Sequence, residues 1–280
     1  MKLNLQYKNK ENIFTEVENE GVPYLIFNNL EETGLIKQAF TTRLGGVSTG
    51  DCASMNISIQ RGDLPENVLE NTKRLSKAVG VKEDSLVFSA QTHTTNVVEV
   101  TRENYKDNFA DVDGMITKVP GLTLVTFYAD CVPLYFVDPV KKAIGLSHSG
   151  WRGTVHKMGK VTVEAMTKAF HSNPKDILVG IGPSICQDCY EVSEDVIKEV
   201  NHAFKGYQEK DLYYQKDNGK YQLNLWRANE LVLEEAGILK ENLATTNLCT
   251  CCNSDFLFSH RASKGKRGNL SALLALKEEI

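Results

Sequence analysis

The sequence predicts an α+β protein, a single domain of mixed β-sheets flanked by helices, and three observations lead there. Hydrophobic residues make up 41% of the 280, enough for a sizeable core. Segments with helical and with strand periodicity alternate along the chain. No internal repeat, low-complexity tract or Pro/Gly/Ser linker interrupts it, so 1–280 reads as one domain.

Each element follows from its pattern. Residues 65–80 read as a helix, with Pro65 in the first turn, Val68, Leu69, Leu75, Ala78 and Val79 apolar, and Gly80 as the stop. Segments 86–88 and 97–100 read as strands around a polar stretch at 91–96. After Asp113-Gly114, the β-branched and aromatic run 122–128 reads as a buried strand. Strands 134–137 and 143–147, joined by the polar 138–142 with its Asp-Pro step, read as a hairpin. A helix is expected after Gly153, with Val155, Met158, Ala165, Met166 and Phe170 on its apolar side. Two more helices, near 193–204 and 225–236, surround a polar stretch at 209–221 that reads as an exposed ribbon or loop.

Composition excludes several classes. With 32 basic against 36 acidic side chains the net charge is only -4, which gives no footprint for nucleic acid. The first residues carry Lys, Asn and Glu where a secretory signal needs a continuous apolar run, and no later stretch approaches a membrane span. A cytoplasmic protein is expected. Seven cysteines in a chain this large read as reduced thiols, most of them small buried residues.

Of the six histidines, His148 stands out because it sits where a strand ends and a helix begins. Cys131 ends the buried strand. The two are equidistant from a turn centred at 139 and 140, so an antiparallel pair would set their Cα atoms about 4.5 to 5.5 Å apart. That spacing suits two ligands of one metal, and equally a thiolate–imidazole catalytic pair. His93, in the polar stretch between two strands, is the best third member. His156, His171 and His202 fall on helices among polar neighbours and read as solvated, while His260, after an aromatic stretch, reads as a supporting or core histidine.

The motifs Thr41-Thr42-Arg43-Leu44-Gly45-Gly46-Val47-Ser48, Gln91-Thr92-His93, Ala129-Asp130-Cys131-Val132-Pro133-Leu134, His148-Ser149-Gly150-Trp151-Arg152-Gly153 and Gly182-Pro183-Ser184-Ile185 resemble those of the YfiH family, once called laccase-like or polyphenol oxidase proteins. Cys189-Tyr190-Glu191-Val192, Cys249-Thr250 and Phe258-Ser259-His260-Arg261 continue the likeness in order. It covers nearly the whole chain after about residue 35, which leaves 1–35 as an N-terminal extension packed on the domain. Departures stand at Thr94, Ser149 and Cys186-Gln187-Asp188. The resemblance implies an α/β/β/α layered domain and zinc on His93, Cys131 and His148. It also implies phosphorolysis of adenosine, inosine, guanosine and methylthioadenosine, with adenosine deamination besides.

Three protein ligands with one position open is the pattern of catalytic zinc, and activation of water by zinc is what deamination at C6 requires. The usual deaminase signature, His-x-Glu with Pro-Cys-x-x-Cys, is absent. For phosphate, Arg43 beside Gly45-Gly46 and Arg152 beside Gly150 and Gly153 are the candidate anion binders, with structural ion pairs nearly as plausible. Asp130 is expected to support the ligands from behind, since neighbours on a strand point to opposite faces. Competing readings are a metal-independent Cys131/His148 hydrolase, a copper polyphenol oxidase, and a zinc-stapled binding module using Cys186, Cys189, Cys249, Cys251 and Cys252. Oligomeric state is not readable from these patterns.

Overall fold

The computed structural model describes residues 3–278. One sheet of seven strands runs, edge to edge, Phe14–Asn19, Val22–Phe27, Ile36–Thr41, Leu270–Leu276, Thr123–Tyr128, Leu86–Ala90 and Phe109–Ala110. A second, of six strands, runs Leu243–Thr245, Leu178–Ile181, Val132–Asp138, Ala143–Ser149, Gly114–Thr117 and Val97–Glu99. Both are mixed, with parallel pairs beside antiparallel ones. The first two strands of the chain belong to the larger sheet, so residues 14–27 are built into it.

Side-chain alternation sorts the layers. Along Val132–Asp138, Val132, Leu134 and Phe136 face a core beneath helices, while Tyr135 and Val137 face a core between the two sheets. Leu124, Tyr128, Ala272 and Leu274 of the larger sheet meet Ile144 and Leu146 of the smaller in that central layer. Two tyrosines stitch it: Tyr135 Oη–H donates to the Ala39 carbonyl at 2.8 Å and Tyr128 Oη–H to the Ser147 carbonyl at 3.0 Å. On the outer face of the larger sheet, helix Pro65–Val79 packs Leu75 and Ala78 against Val22, Tyr24 and Val125. On the far side, helices Met158–Phe170, Glu194–Ala203 and Leu225–Glu235 close over the smaller sheet. The order is helix, sheet, sheet, helix, as the resemblance implied.

One element differs from the sequence reading and another makes it more specific. The helix expected after Gly153 begins earlier, as Trp151–Val155 with Gly150 at its N-cap, and restarts at Met158 after Lys157 turns left-handed (φ 62). The turn is held from outside: Lys157 Nζ lies 3.1 Å from Glu235 and 3.9 Å from the Phe204 ring centroid, contacts no local pattern announces. The polar stretch 209–221 is ordered as a short helix, Glu209–Leu212, then Tyr213–Gln215, which pairs with Tyr221–Leu223 in a three-stranded sheet completed by Glu191–Val192. No helix among the described residues is long and apolar enough to cross a membrane.

Candidate metal centre

The 132–149 hairpin forms, but its register differs from the symmetric expectation. Ala143 pairs with Asp138 and His148 with Pro133, so Cys131 stands opposite Gly150 and not opposite His148. Asp138 Oδ1 accepts the amides of Val140 and Lys141, both at 2.9 Å, and closes a turn over 139–142 that is centred one position later than expected. The offset is two residues. A shift of one would have thrown one side chain to the opposite face, whereas two keeps both in the layer between the sheets. Gly150, having no side chain, leaves the place beside Cys131 open for His93.

His93 comes from the segment that crosses from the larger sheet, after Leu86–Ala90, to the smaller, at Val97–Glu99. Its backbone is left-handed (φ 66), a conformation that needs outside support in a residue with a Cβ. Asp113, wholly buried, supplies it. Its carboxylate accepts the amides of Thr92 (3.0 Å), His93 (3.1 Å) and Thr94 (3.0 Å) and the Thr94 hydroxyl (3.1 Å), so the loop wraps around one anion. Asp113 Oδ1 also lies 2.7 Å from His148 Nδ1. Burial alone would raise the Asp113 pKa, but the His148 bond and charge and the loop amides hold it at about 2. An ionised carboxylate only accepts, so His148 Nδ1–H donates to it; against burial, which would lower it, Cys131 and Asp113 raise the His148 pKa to about 9, so the other ring nitrogen gives up a proton when it ligates a metal.

Ligand atoms of His93, Cys131 and His148 all lie within 4.8 Å of one another. The imidazole rings stand edge to face with centroids 4.8 Å apart. A Cβ placed on Gly150 would lie 2.9 Å from His93 Nδ1 and 3.1 Å from Cys131 Sγ, so the group closes around a position only glycine fills without displacement. Two imidazoles and a thiol, one imidazole backed by a carboxylate, fit a divalent metal with borderline-soft preferences. His93 is exposed while His148 is buried, so the group opens to solvent on the His93 side.

The three residues line a hollow of about 190 Å³ together with Arg61, Arg267 and Gln91. Arg61 donates to the carbonyls of Arg267 (3.3 Å) and Gly265 (3.1 Å). Arg267 donates to Gly268 O at 3.1 Å and to Asn269 Oδ1, but its buried Nε–H has no partner. Burial first, then Arg61 beside it, lowers the Arg267 pKa to about 10, which still leaves the cation intact at neutral pH. Two guanidiniums lining one hollow give it the charge and donors that suit an anion.

The other expected groups are dispersed. Arg43 Nε donates to Ala53 O and one terminal nitrogen to Ser254 O, both at 2.9 Å, and its guanidinium stacks on Phe258 at 4.8 Å. The amides of Gly46, Val47 and Ser48 are likewise engaged within the chain, so this segment is a latch and does not reach the histidines. Arg152 is exposed, stacks on Trp151 at 4.4 Å, and lies near enough to His93 for its charge to be felt there. Asp130, left-handed at φ 86, accepts the Thr250 hydroxyl and the Arg261 amide, both at 2.7 Å, which fixes the backbone that presents Cys131. His260 is exposed at the start of the short helix His260–Ser263, so it is not a core histidine. His156, His171 and His202 are exposed, as expected.

The model of the family described as multi-copper polyphenol oxidoreductase laccase matches residues 37–277. The chain belongs to this family, the YfiH family. Purine nucleoside phosphorylase YlmD of Bacillus subtilis is 34% identical over 247 residues, 85% of this chain and 88% of its own length. A purine nucleoside phosphorylase of Deinococcus radiodurans is 35% identical over 256 residues, 91% and 94% of the two chains. Among solved structures, the Bacillus licheniformis hypothetical protein YfiH aligns with a TM-score of 0.88 at 31% identity, covering 95% of this chain and all of that one. YlmD from Geobacillus stearothermophilus aligns with the same score at 30% identity, over 96% of this chain and all of that one.

In this YfiH-family chain three residues in and around the hollow, Asp113, Arg61 and Arg267, lie outside the motifs. Asp113 reads as half of an Asp-Gly turn, and nothing local marks it as the anion around which 92–94 folds. Arg61 and Arg267 lie more than 200 positions apart in unremarked loops. The available signal was Gly265 and Gly268 flanking Arg267, the same association of Arg with Gly that drew notice to Arg43 and Arg152.

Proposed function

We propose that this protein is a zinc-dependent purine nucleoside phosphorylase, acting on adenosine, inosine, guanosine and methylthioadenosine, and that it also deaminates adenosine. The observation that carries the reading is one hollow lined both by His93, Cys131 and His148 and by Arg61 and Arg267. Similarity to proteins named purine nucleoside phosphorylase supports the same substrates.

In phosphorolysis a phosphate oxygen bonds to C1′ of the sugar, the C1′–N9 bond breaks, and the purine leaves with the electron pair and takes up a proton. Arg267 and Arg61 are suited to hold the phosphate, because two guanidiniums lining one hollow offer charge-assisted bonds to a dianion. Arg152, without an ion-pair partner among the described residues, stands at the exposed His93 side, where it can meet the phosphate or sugar as they enter. Asp113 keeps the proton on His148 Nδ1 and thereby keeps the other ring nitrogen basic. His93, Cys131 and His148 are the residues that would hold the ion. When bound, zinc supplies a Lewis acid, the chemistry that deamination at C6 draws on.

Two imidazoles converging on Cys131 favour metal over a Cys–His hydrolase, which needs one. Multicopper chemistry needs a histidine-rich cluster, whereas the other histidines here, His156, His171, His202 and His260, are all exposed and none joins a metal-binding group. Seven free cysteines support a reducing, cytoplasmic setting. Arg267→Gln tests the phosphate role: the KM for phosphate is expected to rise at least about tenfold, while the KM for adenosine changes little. An unchanged phosphate KM overturns the assignment.

A further inference from the structure

A second cluster of metal-binding side chains lies apart from the hollow. Cys186, Cys189, Cys249 and Cys252 place their sulfurs all within 4.8 Å of one another, and none is in a disulfide. Along the chain these are two Cys-x-x-Cys pairs. Cys251 disguises the second, and the structure leaves it out of the group. Four thiolates around zinc at about 2.3 Å sit at the corners of a tetrahedron whose edge is about 3.8 Å. The Cys189 and Cys252 sulfurs are 3.6 Å apart.

We propose that these four cysteines bind a second zinc ion in a closed, structural site, distinct from the open one on His93, Cys131 and His148. The backbone is already arranged for thiolates: Cys249 Sγ accepts the amides of Cys186 at 3.2 Å and Cys252 at 3.4 Å, bonds that favour the anionic sulfur. Lys8 pairs with Asp188 at 3.2 Å and brings an ammonium to the 186–189 turn, where four thiolates on a divalent ion would leave a net charge of -2. Each thiol releases its proton to solvent on binding, so no oxidant or reductant is required. Cys186 and Cys249 are buried and Cys189 and Cys252 half-buried, which leaves a path for the ion.

The site would staple the turn at 186–189 to the turn at 249–252, against which the N-terminal segment also packs. Tyr7 bridges Leu248, Lys8 N donates to Asn247 O at 2.8 Å, and Ser184 bridges Cys249. The consequences reach the hollow, because Thr250 and Arg261 hold Asp130, the residue before Cys131, and Arg261 also donates to the Cys189 carbonyl at 3.0 Å. Closure by four cysteines makes the ion a folding element with no open position for substrate.

The test is metal stoichiometry on full-length protein, with thiol protection as a second readout. Wild type is expected to carry two zinc ions per chain and Cys189→Ser/Cys252→Ser one, while Cys131→Ala/His148→Ala keeps the four-cysteine ion. Replacement by cobalt should give strong thiolate charge-transfer absorption that the Cys189→Ser/Cys252→Ser variant loses and Cys131→Ala/His148→Ala retains. Should the double serine variant fail to fold, native wild type and Cys131→Ala/His148→Ala are treated with N-ethylmaleimide: Cys186, Cys189, Cys249 and Cys252 are expected to resist in both until a chelator is added, and Cys131 with them in wild type. Equal zinc in wild type and the double serine variant overturns the proposal. So does thiol reactivity indifferent to chelator, a disulfide among the four, or visible iron–sulfur absorption in place of zinc. None of these outcomes depends on whether the protein cleaves nucleosides.

Discussion

Gly150→Ala adds one methyl group at the contact between His93 and Cys131. The new Cβ would stand 2.9 Å from His93 Nδ1, 3.1 Å from Cys131 Sγ and 3.4 Å from His93 Cε1. Ordinary contact starts near 3.4 Å, so the imidazole must retreat by roughly 0.5 Å and the sulfur by roughly 0.3 Å. A metal site tolerates about 0.2 Å in its ligand distances, so both displacements exceed what the group absorbs. Metal affinity and kcat/KM are expected to fall about 10- to 100-fold, or about 1.4 to 2.7 kcal/mol. Stability should change little, because Gly150 has φ -70 and ψ 180, open to alanine, and an N-cap glycine differs from alanine by about 1 kcal/mol or less. Zinc titration of the variant beside wild type, with chemical denaturation as the control, reads both effects. Wild-type zinc affinity and turnover in a normally folded variant would refute the idea that these side chains close around Gly150.

Asp113→Asn replaces one acceptor oxygen by a donor where the amides of 92–94 and His148 Nδ1–H converge, so at least one N–H faces another donor. Metal affinity is expected to drop about 10- to 100-fold and stability by about 2 to 4 kcal/mol, read by metal titration and urea unfolding. Asp63 offers a pH test away from the hollow: against burial, which would raise it, bonds from Ser48, Asn56, Asn67 and the Leu64 amide lower its carboxyl pKa. A depressed folded pKa contributes stability that is complete above the unfolded value near 4 and lost as pH falls through the folded one. Asp63→Asn should therefore be less stable than wild type at pH 7, with the gap narrowing below pH 4 in urea titrations; a gap independent of pH counts against the assignment.

Strand and helix positions were legible because their patterns are local. The helix at 65–79 shows its proline, its apolar stripe and its Gly80 stop, and the central strands are near-continuous apolar runs. The hairpin was legible as a pairing but not in register, since the deciding bonds run from Asp138 to the amides of its own turn. Convergence of Cys131 and His148 survived that error because an offset of two preserves the face of both strands. Asp113 stayed hidden for the opposite reason: its function is carried by backbone amides some 20 positions earlier, and amides leave no mark in a sequence. The second Cys-x-x-Cys was visible but masked by Cys251, whose neighbours share a turn with it while its own sulfur stays outside the cluster.

The central claim is that a metal on His93, Cys131 and His148 is needed for phosphate-dependent cleavage of purine nucleosides. It is tested most directly by following adenine release from adenosine, with and without phosphate, in protein before zinc removal, after it, and after zinc is restored. Adenine release that requires phosphate, disappears with the zinc and returns with it is the predicted result. Full phosphate-dependent release by protein stripped of zinc would contradict the account.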